Sequence, residues 1–299
     1  MNLFGENMTA GLSRIVLGLW RAREWNLSNA GLYDLISQSI DLGITSFDHA
    51  DIYGGYECET IFGNALKENP STRERIQIVT KCGIKLISPK FPGMSVKHYD
   101  TGKAHIIYSV ENSLKNLQTD YIDLLLIHRP DPFMNADETA EAFYELKKSG
   151  KALEFGVSNF LPHQFNLLQS RLDFPLTTNQ IEASVLCTEH FDNGNIDFLQ
   201  ERRVAPMVWS PFAGGKIFWE NSDRANRVRN VLNELAHKYQ VGTDAIANAW
   251  LLVHPVNFIV VLGTGKIDRI KSALRGIDVR LTREDWFKLW IASKGNEVP

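Results

Sequence analysis

Short apolar segments alternate with helix-period segments along nearly the whole chain of 299 residues, and this alternation limits the fold more than any other feature. Eight segments have the character of strands, at 14–19, 45–48, 76–82, 122–128, 153–158, 177–181, 204–209 and 258–262. Helical segments follow them at 30–42, 57–67, 104–117, 137–149, 162–171, 196–202, 224–239 with 244–254, and 266–274, and a last one spans 282–291. Such alternation predicts parallel strands joined by helical crossovers.

Eight strand–helix units in a chain of this length predict a (β/α)8 TIM barrel that forms a single domain over residues 1–299. The strand segments are almost entirely apolar, as strands buried on both faces must be. The main alternative is an open, doubly wound sheet. That fold would be expected to place a G-x-G-x-x-G turn after its first strand, and Gly11 and Gly18 do not form this pattern.

Charge and composition argue against several classes of partner. The formal net charge is −3, so no basic surface for nucleic acid is expected. The apolar runs are too short for a membrane span, and residues 1–6 lack the basic and apolar regions of a signal peptide. The three cysteines are odd in number and far apart, which indicates neither a disulfide framework nor a zinc site. We expect a cytoplasmic protein, monomeric, that acts on a small molecule.

Four polar residues lie at or just beyond the ends of strand segments: Asp48, Tyr53, Lys81 and His128. The carboxyl ends of barrel strands are where such folds keep their chemistry. A lysine ammonium beside Tyr53 would lower the phenol pKa from its ordinary value of about 10, and a carboxylate such as Asp48 would hold that lysine charged. His128 could then orient a carbonyl oxygen. The four residues together predict a proton donor beside a polarised carbonyl.

Simpler interpretations exist for each of these residues. Asp48 and Lys81 could form a buried ion pair without catalytic function, and Tyr53 and His128 could be ordinary packing residues. Taken singly, these interpretations are favoured; the set of four on one face of a barrel favours catalysis. A metal-dependent hydrolase is a further alternative, because His49-Ala50-Asp51 is an H-x-D pattern. No second strand supplies a matching histidine, so we predict no metal site.

Four segments together resemble the aldo-keto reductases. Residues 47–54 (F-D-H-A-D-I-Y-G) resemble the D-T-A-x-x-Y-G signature of that family. Residues 78–81 are similar to its catalytic-lysine strand, 121–131 to its Y-x-D-L-x-x-x-H-x-P-D strand, and 156–160 to its G-V-S-N-F segment. The segments occur in the family's order, and the resemblance extends from about residue 14 to about residue 274.

The resemblance implies a (β/α)8 barrel that binds NADPH across the carboxyl ends of its strands and reduces aldehydes or ketones to alcohols. It implies that Tyr53 is the proton donor, that Lys81, paired to Asp48, lowers the Tyr53 pKa, and that His128 orients the carbonyl. The hydride would come from the cofactor. The alternative within this resemblance is a reductase-like barrel that holds the cofactor as a redox sensor or regulatory subunit, similar to potassium-channel β subunits.

The resemblance also implies a set of cofactor contacts. The carboxamide of the nicotinamide would be held by Ser158, Asn159 and Gln180, and its ring would stack on Trp209. The pyrophosphate loop would comprise Ser210, Pro211, Phe212, Gly214, Gly215 and Lys216. The 2′-phosphate of NADP, preferred over NAD, would be held near Gly263 by Thr264, Lys266 and Arg269. Leu262, Gly265, Ser272 and Ala273 depart from the residues common in relatives at these positions.

The substrate is the least determined part of the interpretation. Seven aromatic residues are candidates for an apolar mouth around the carbonyl site, although core packing explains any one of them equally well: Trp20, Trp25, Tyr56, Phe91, Phe133, Phe218 and Trp219. We expect a small-molecule carbonyl substrate.

Overall fold

The computed structural model describes residues 11–299. Its strands are β1 (Ile15–Gly18), β2 (Ser46–Asp48), β3 (Gln77–Cys82), β4 (Ile84–Lys85), β5 (His98–Tyr99), β6 (Ile122–Ile127), β7 (Ala152–Ser158), β8 (Asn179–Glu182), β9 (Met207–Trp209) and β10 (Ile259–Leu262). Residues 1–10 lie outside the described residues. The prediction of a single domain over 1–299 and the expectation of no signal peptide both include these residues.

Eight of these strands close into a barrel in the order β1-β10-β9-β8-β7-β6-β3-β2, and every neighbouring pair is parallel. The helices around it are α1 (Asn29–Asp41), α2 (Cys58–Leu66), α3 (Lys103–Leu117), α4 (Ala136–Lys148), α5 (Pro162–Gln169), α6 (Glu189–Asp192), α7 (Asn195–Glu201), α8 (Lys216–Trp219), α9 (Asp223–Tyr239), α10 (Thr243–Leu252), α11 (Ile267–Leu274) and α12 (Arg283–Lys294). The prediction of a (β/α)8 barrel is confirmed.

The elements that the sequence did not predict are short. The loop 83–102 contains an antiparallel hairpin in which β4 pairs with β5, with Ile84 opposite Tyr99. The loop 210–223 contains the one-turn helix α8, and α6 precedes the predicted helix α7. Strands of two residues and helices of four are too short to produce a detectable hydrophobic period.

Alternate residues of the barrel strands face opposite sides, as the period of two requires. One set fills the barrel interior and includes Val16, Val79, Leu124, Leu126 and Met207. The intervening residues, among them Ile15, Leu17, Phe47, Ile78 and Leu125, pack against the surrounding helices. Both sets are almost completely buried.

Four of the outer helices begin at polar side chains that cap their first turn, and apolar contacts hold the helices against the barrel. Ser28 accepts a hydrogen bond from the Gly31 N–H at the start of α1, and Thr282 does the same for Asp285 at the start of α12. The stacked rings of Trp250 and Trp286, 4.9 Å apart, attach α12 to α10. Within residues 11–299, no helix is both long and apolar enough to cross a membrane.

Candidate active site

The inward-facing residues change from apolar to polar at the carboxyl ends of the strands. Two positions after the buried Val79 on β3 comes Lys81, and two after Leu126 on β6 comes His128. On β9, Trp209 follows Met207 in the same way. Because side chains two apart in a strand share a face, these polar groups point into the same end of the barrel. The fold thus gathers residues that are far apart in the sequence.

Lys81 lies at the centre of this polar layer and is completely buried. Its Nζ atom donates to both carboxylate oxygens of Asp48, at 2.7 and 2.8 Å, and to the His49 carbonyl oxygen at 2.7 Å. It lies 3.2 Å from the phenol oxygen of Tyr53. The ammonium is therefore held by one carboxylate and one carbonyl, and its remaining contact is the tyrosine.

Tyr53 and His128 face each other across the end of the barrel. Tyr53 is on the turn that follows β2, which is closed by a hydrogen bond from its backbone N–H to the Ala50 carbonyl. The rings of Tyr53 and His128 are 5.8 Å apart and meet edge to face at 76°. Trp20 lies 6.5 Å from Tyr53 on its other side. The four predicted catalytic residues therefore come together, and Tyr53, His128 and Asp48 line a common cavity.

Burial determines the protonation of this cluster. It raises the pKa of the Tyr53 phenol well above 10, and the negative charge of Asp48 acts in the same direction. It lowers the pKa of His128 well below 6.5, assisted by the positive charges of Lys81 and Arg129. Burial also lowers the pKa of Lys81, which Asp48 opposes. Burial thus dominates the Tyr53 pKa of the protein alone, and the charge that opposes it is that of Arg129. That Lys81 lowers the Tyr53 pKa stays a prediction.

A chain of hydrogen bonds connects Trp209 to Asp48. The Trp209 indole N–H donates to the Asn159 side-chain oxygen at 3.0 Å, and the Asn159 amide donates to the Ser158 hydroxyl at 2.8 Å. Ser158 donates to the Gln180 backbone carbonyl at 2.9 Å, and the Gln180 side-chain amide donates to Asp48 at 2.7 Å. The sequence interpretation placed these residues near the cofactor but did not find the contact between Gln180 and Asp48.

The cavity has a volume of about 1220 Å³, and most of the predicted cofactor residues line it. They are Ser158, Asn159, Gln180, Trp209, Ser210, Pro211, Phe212, Gly214, Gly215, Gly263, Thr264 and Arg269. The other two, Lys216 and Lys266, are exposed and do not contribute to this lining in the described chain.

The glycines of this lining suit a bound dinucleotide. Gly214 and Gly215 have φ angles of 66° and 92°, a conformation that side-chain-bearing residues rarely adopt. A Cβ atom built on Gly214 or Gly263 would meet no atom within 4 Å, so the backbone there borders open space. Backbone N–H groups exposed in this way can approach phosphate oxygens closely. The lining therefore fits a phosphate-bearing cofactor.

The aromatic residues predicted to form a mouth divide into two groups. Trp20, Phe218 and Trp219 line the cavity. The others do not: Trp25 packs on the core, the rings of Tyr56 and Phe91 meet edge to face 5.4 Å apart, and Phe133 is 95% exposed. The loops 83–102 and 210–223 both contribute to the cavity wall.

The H-x-D pair is oriented toward the helices and not toward the cavity. The ring of His49 packs edge-on against Phe62 of α2 at 4.4 Å. Asp51 accepts a hydrogen bond of 2.7 Å from Ser109 of α3. Within residues 11–299, no group of three or more His, Cys, Asp or Glu side chains is placed to hold a metal ion. The metal-dependent alternative therefore finds no support.

Arg129 is a cavity residue that the sequence interpretation missed. Its guanidinium lies over the ring of Trp209, 5.5 Å from the centroid. The only signal in the sequence is its position directly after His128, because a residue that follows an inward-facing strand end can still border the cavity.

Comparison with known proteins agrees with this geometry. The sequence profile of the Aldo/keto reductase family matches residues 14–292. The chain is 50% identical to the oxidoreductase YcsN of Bacillus subtilis and 46% identical to the 6-dehydroglucose reductase of Agrobacterium fabrum, with 96% of each chain covered in both comparisons. An aldo/keto reductase of Klebsiella pneumoniae, crystallised with NADP and acetate, superposes with a TM-score of 0.75 at 24% identity, covering 93% of this chain and 90% of that one.

The family match covers almost the whole chain, and these two relatives share about half of its residues. The barrel and the cluster around Lys81 are the structural counterparts of that match. The protein belongs to the aldo/keto reductase family and is an NAD(P)H-dependent oxidoreductase.

Proposed function

We propose that the protein reduces aldehydes and ketones to alcohols with NADPH, and that Tyr53 donates the proton. The observation that carries this proposal is the 3.2 Å contact between the Tyr53 phenol and the Lys81 ammonium at the wall of a large cavity. When bound, NADPH supplies the hydride from C4 of its nicotinamide. The protein supplies position and a proton.

Each residue of the cluster has a defined part in moving the proton. The raised pKa keeps the Tyr53 phenol protonated at neutral pH, so a proton is available on its oxygen. As the carbonyl oxygen gains negative charge it takes this proton, and the adjacent Lys81 ammonium stabilises the phenolate that remains. Asp48 keeps the lysine in place and charged. His128, neutral because its pKa is lowered, can donate one ring N–H to the same carbonyl oxygen.

The cofactor would be held by the polar chain and by the glycine-rich loop. The Gln180 N–H2 group is already bonded to Asp48, so its side-chain oxygen remains to accept from the nicotinamide carboxamide. Ser158 and Asn159 are oriented by their bonds to each other and to Trp209. Gly214 would contact the pyrophosphate through its backbone N–H group, whereas the Gly215 N–H already donates to the Phe212 carbonyl at 2.8 Å. These internal bonds fix the side chains before the cofactor binds, which reduces the entropy cost of binding.

We further propose NADP as the preferred cofactor. Thr264 and Arg269 line the same cavity as the catalytic cluster, and Lys266 is two residues from Thr264. A 2′-phosphate is a dianion, and a guanidinium with a nearby hydroxyl and ammonium suits it well. NAD carries no phosphate at this position and would gain little from these groups.

For the substrate we propose small polyhydroxylated aldehydes as the first class to test. Two relatives, at 46% and 33% identity, are 6-dehydroglucose reductases. The alternative of a cofactor-binding regulatory subunit is not favoured, because the relatives at 46% and 50% identity are a reductase and an oxidoreductase.

The experiment is a turnover assay. Protein and NADPH are mixed with 6-dehydroglucose, glyceraldehyde, aromatic aldehydes and dicarbonyls, and the loss of NADPH absorbance is followed. Reduction of at least one aldehyde, with the alcohol identified as product, supports the proposal. Tight NADPH binding with no turnover of any compound would instead indicate a sensor.

A further inference from the structure

Arg129 places a guanidinium in the cavity without a direct partner. Within residues 11–299 its side chain makes no hydrogen bond or ion pair, and its guanidinium lies over the Trp209 ring, 5.5 Å from the centroid. Glu182 is near enough for the charge of Arg129 to affect its pKa, but the two do not form an ion pair in the described chain. A half-buried guanidinium without a protein partner keeps its N–H donors free for an oxygen-bearing ligand in the cavity.

The position of Arg129 relates it to the reacting groups. It follows His128 directly, and the His128 ring is 5.8 Å from that of Tyr53. Its charge acts on the pKa of both Tyr53 and His128, which indicates that the guanidinium faces the catalytic end of the cavity. The two other unassigned cations of the lining, Arg21 and Lys97, are exposed. Water screens their charges much more than that of Arg129.

We propose that Arg129 is the specificity-determining anchor of the substrate and donates hydrogen bonds to oxygen atoms on the carbons next to the reacting carbonyl. This inference rests on the proposed function and names its substrate class: oxygenated aldehydes, with either hydroxyl or carboxylate oxygens beside the carbonyl. A guanidinium presents several N–H donors in one plane, which matches two neighbouring oxygens. The cation–π contact with Trp209, 5.5 Å from the ring centroid, favours this position of the guanidinium.

The competing assignment for Arg129 is a contact to the cofactor, and the binding measurements must separate the two. A cofactor residue would change NADPH affinity and would affect all substrates equally. Replacement of a substrate anchor would change the preference among substrates and would leave the NADPH affinity unchanged. Substrates with different oxygen groups then separate a carboxylate from a pair of hydroxyls beside the carbonyl. Both offer two neighbouring acceptor oxygens, but only the carboxylate is charged.

The test uses the full-length protein and the variants Arg129→Met and Arg129→Lys. Arg21→Met is the matched control, because it removes the same charge from the exposed rim of the same cavity. Three aldehydes of similar size are compared: propanal, which has no oxygen beside the carbonyl, glyceraldehyde, which has hydroxyls, and glyoxylate, which has a carboxylate. NADPH affinity is measured separately by quenching of tryptophan fluorescence, and thermal unfolding confirms that each variant is folded.

For Arg129→Met we expect the ratio of kcat/KM for glyceraldehyde or glyoxylate to that for propanal to fall at least about tenfold, mainly through KM. Arg129→Lys should restore part of the ratio for glyoxylate, where charge alone helps, and little for glyceraldehyde. Arg21→Met should leave the ratio within about threefold of the original value. A fall for glyoxylate alone assigns a carboxylate, and a fall for glyceraldehyde assigns hydroxyls.

An unchanged ratio in Arg129→Met, or an equal change in Arg21→Met, overturns the inference. So does a large loss of NADPH affinity in Arg129→Met, which would make Arg129 a cofactor residue. Should Arg129→Met not fold, Arg129→Gln is measured in its place against the same criteria. If the unmodified protein turns over neither these three aldehydes nor any compound of the turnover assay, the proposed reductase function fails. Turnover of aromatic aldehydes alone leaves that function standing and overturns the anchor.

Discussion

The Nζ atom of Lys81 lies 3.2 Å from the phenol oxygen of Tyr53 while it donates to both oxygens of Asp48. One buried cation thus joins a carboxylate that is fixed in the barrel to a hydroxyl that borders the cavity. The carboxylate keeps the cation charged, and the cation stabilises the phenolate formed when the proton leaves.

Tyr53→Phe should reduce turnover by at least about a hundredfold and leave NADPH affinity nearly unchanged, because it removes only the donated proton. Turnover is measured by NADPH absorbance and affinity by fluorescence titration. Tyr56→Phe is the matched control, since the Tyr56 hydroxyl accepts from the Leu86 N–H and has no part in the proposed proton transfer. Similar turnover in Tyr53→Phe and the unmodified protein would count decisively against Tyr53 as the donor.

Lys81→Met should lower the free energy of unfolding by about 3–5 kcal/mol, because it leaves the Asp48 carboxylate buried without its cation. The double variant Lys81→Met with Asp48→Leu removes both charges and should recover much of that loss. Urea denaturation at neutral pH measures the free energy of unfolding of the unmodified protein, of Lys81→Met and of the double variant. Independent, additive losses in the double variant would show that the two charges are not coupled.

The pKa shifts of His128 and Tyr53 predict that neither residue shapes the pH profile of kcat/KM near neutrality. Because the His128 pKa is lowered well below 6.5, the imidazole stays neutral as pH falls toward 6. Because the Tyr53 pKa is raised well above 10, the phenol keeps its proton as pH rises toward 9. Between about pH 6 and pH 9 neither group titrates, so neither His128 nor Tyr53 should contribute a limb to the profile in this range. A limb with a midpoint near 6.5 that disappears in His128→Gln would contradict this reading.

Sequence periodicity predicts which side chains at the carboxyl end of a strand point into the barrel. Lys81 and His128 follow buried apolar residues by two positions, so their direction into the barrel was readable. The contact between Gln180 and Asp48 was not readable, because these residues are 132 positions apart and meet only when the barrel closes. The direction of the Tyr53 pKa shift was not predictable either, because it depends on how deeply the closed barrel buries the phenol. Arg129 lies beyond its strand, where no period applies.

Arg269→Ala should weaken NADPH binding at least about tenfold and NADH binding much less, since only NADPH carries the 2′-phosphate. Both dissociation constants are obtained by fluorescence titration. Arg283→Ala, an exposed arginine at the start of α12, serves as the control for the loss of one positive charge. Equal weakening of both cofactors would assign Arg269 to a part of the molecule that NADPH and NADH share.

Asp51→Asn should flatten the dependence of stability on pH. Burial raises the pKa of Asp51 to about 8, although the hydrogen bond from Ser109 opposes this shift. In the unfolded chain an aspartate titrates near 4, so between about pH 4 and pH 8 the folded protein keeps a proton that the unfolded chain has released.

The folded state is therefore favoured at low pH. As the pH rises through that range, Asp51 lowers the free energy of unfolding by up to about 1.4 kcal/mol per pH unit. Asparagine is neutral and of equal size, so Asp51→Asn should lose less stability between pH 5 and pH 7.5 than the unmodified protein does. Urea denaturation measures this loss. The exposed control Asp278→Asn should behave like the unmodified protein. Parallel losses in Asp51→Asn and the unmodified protein would mean that Asp51 is already ionised in the folded state.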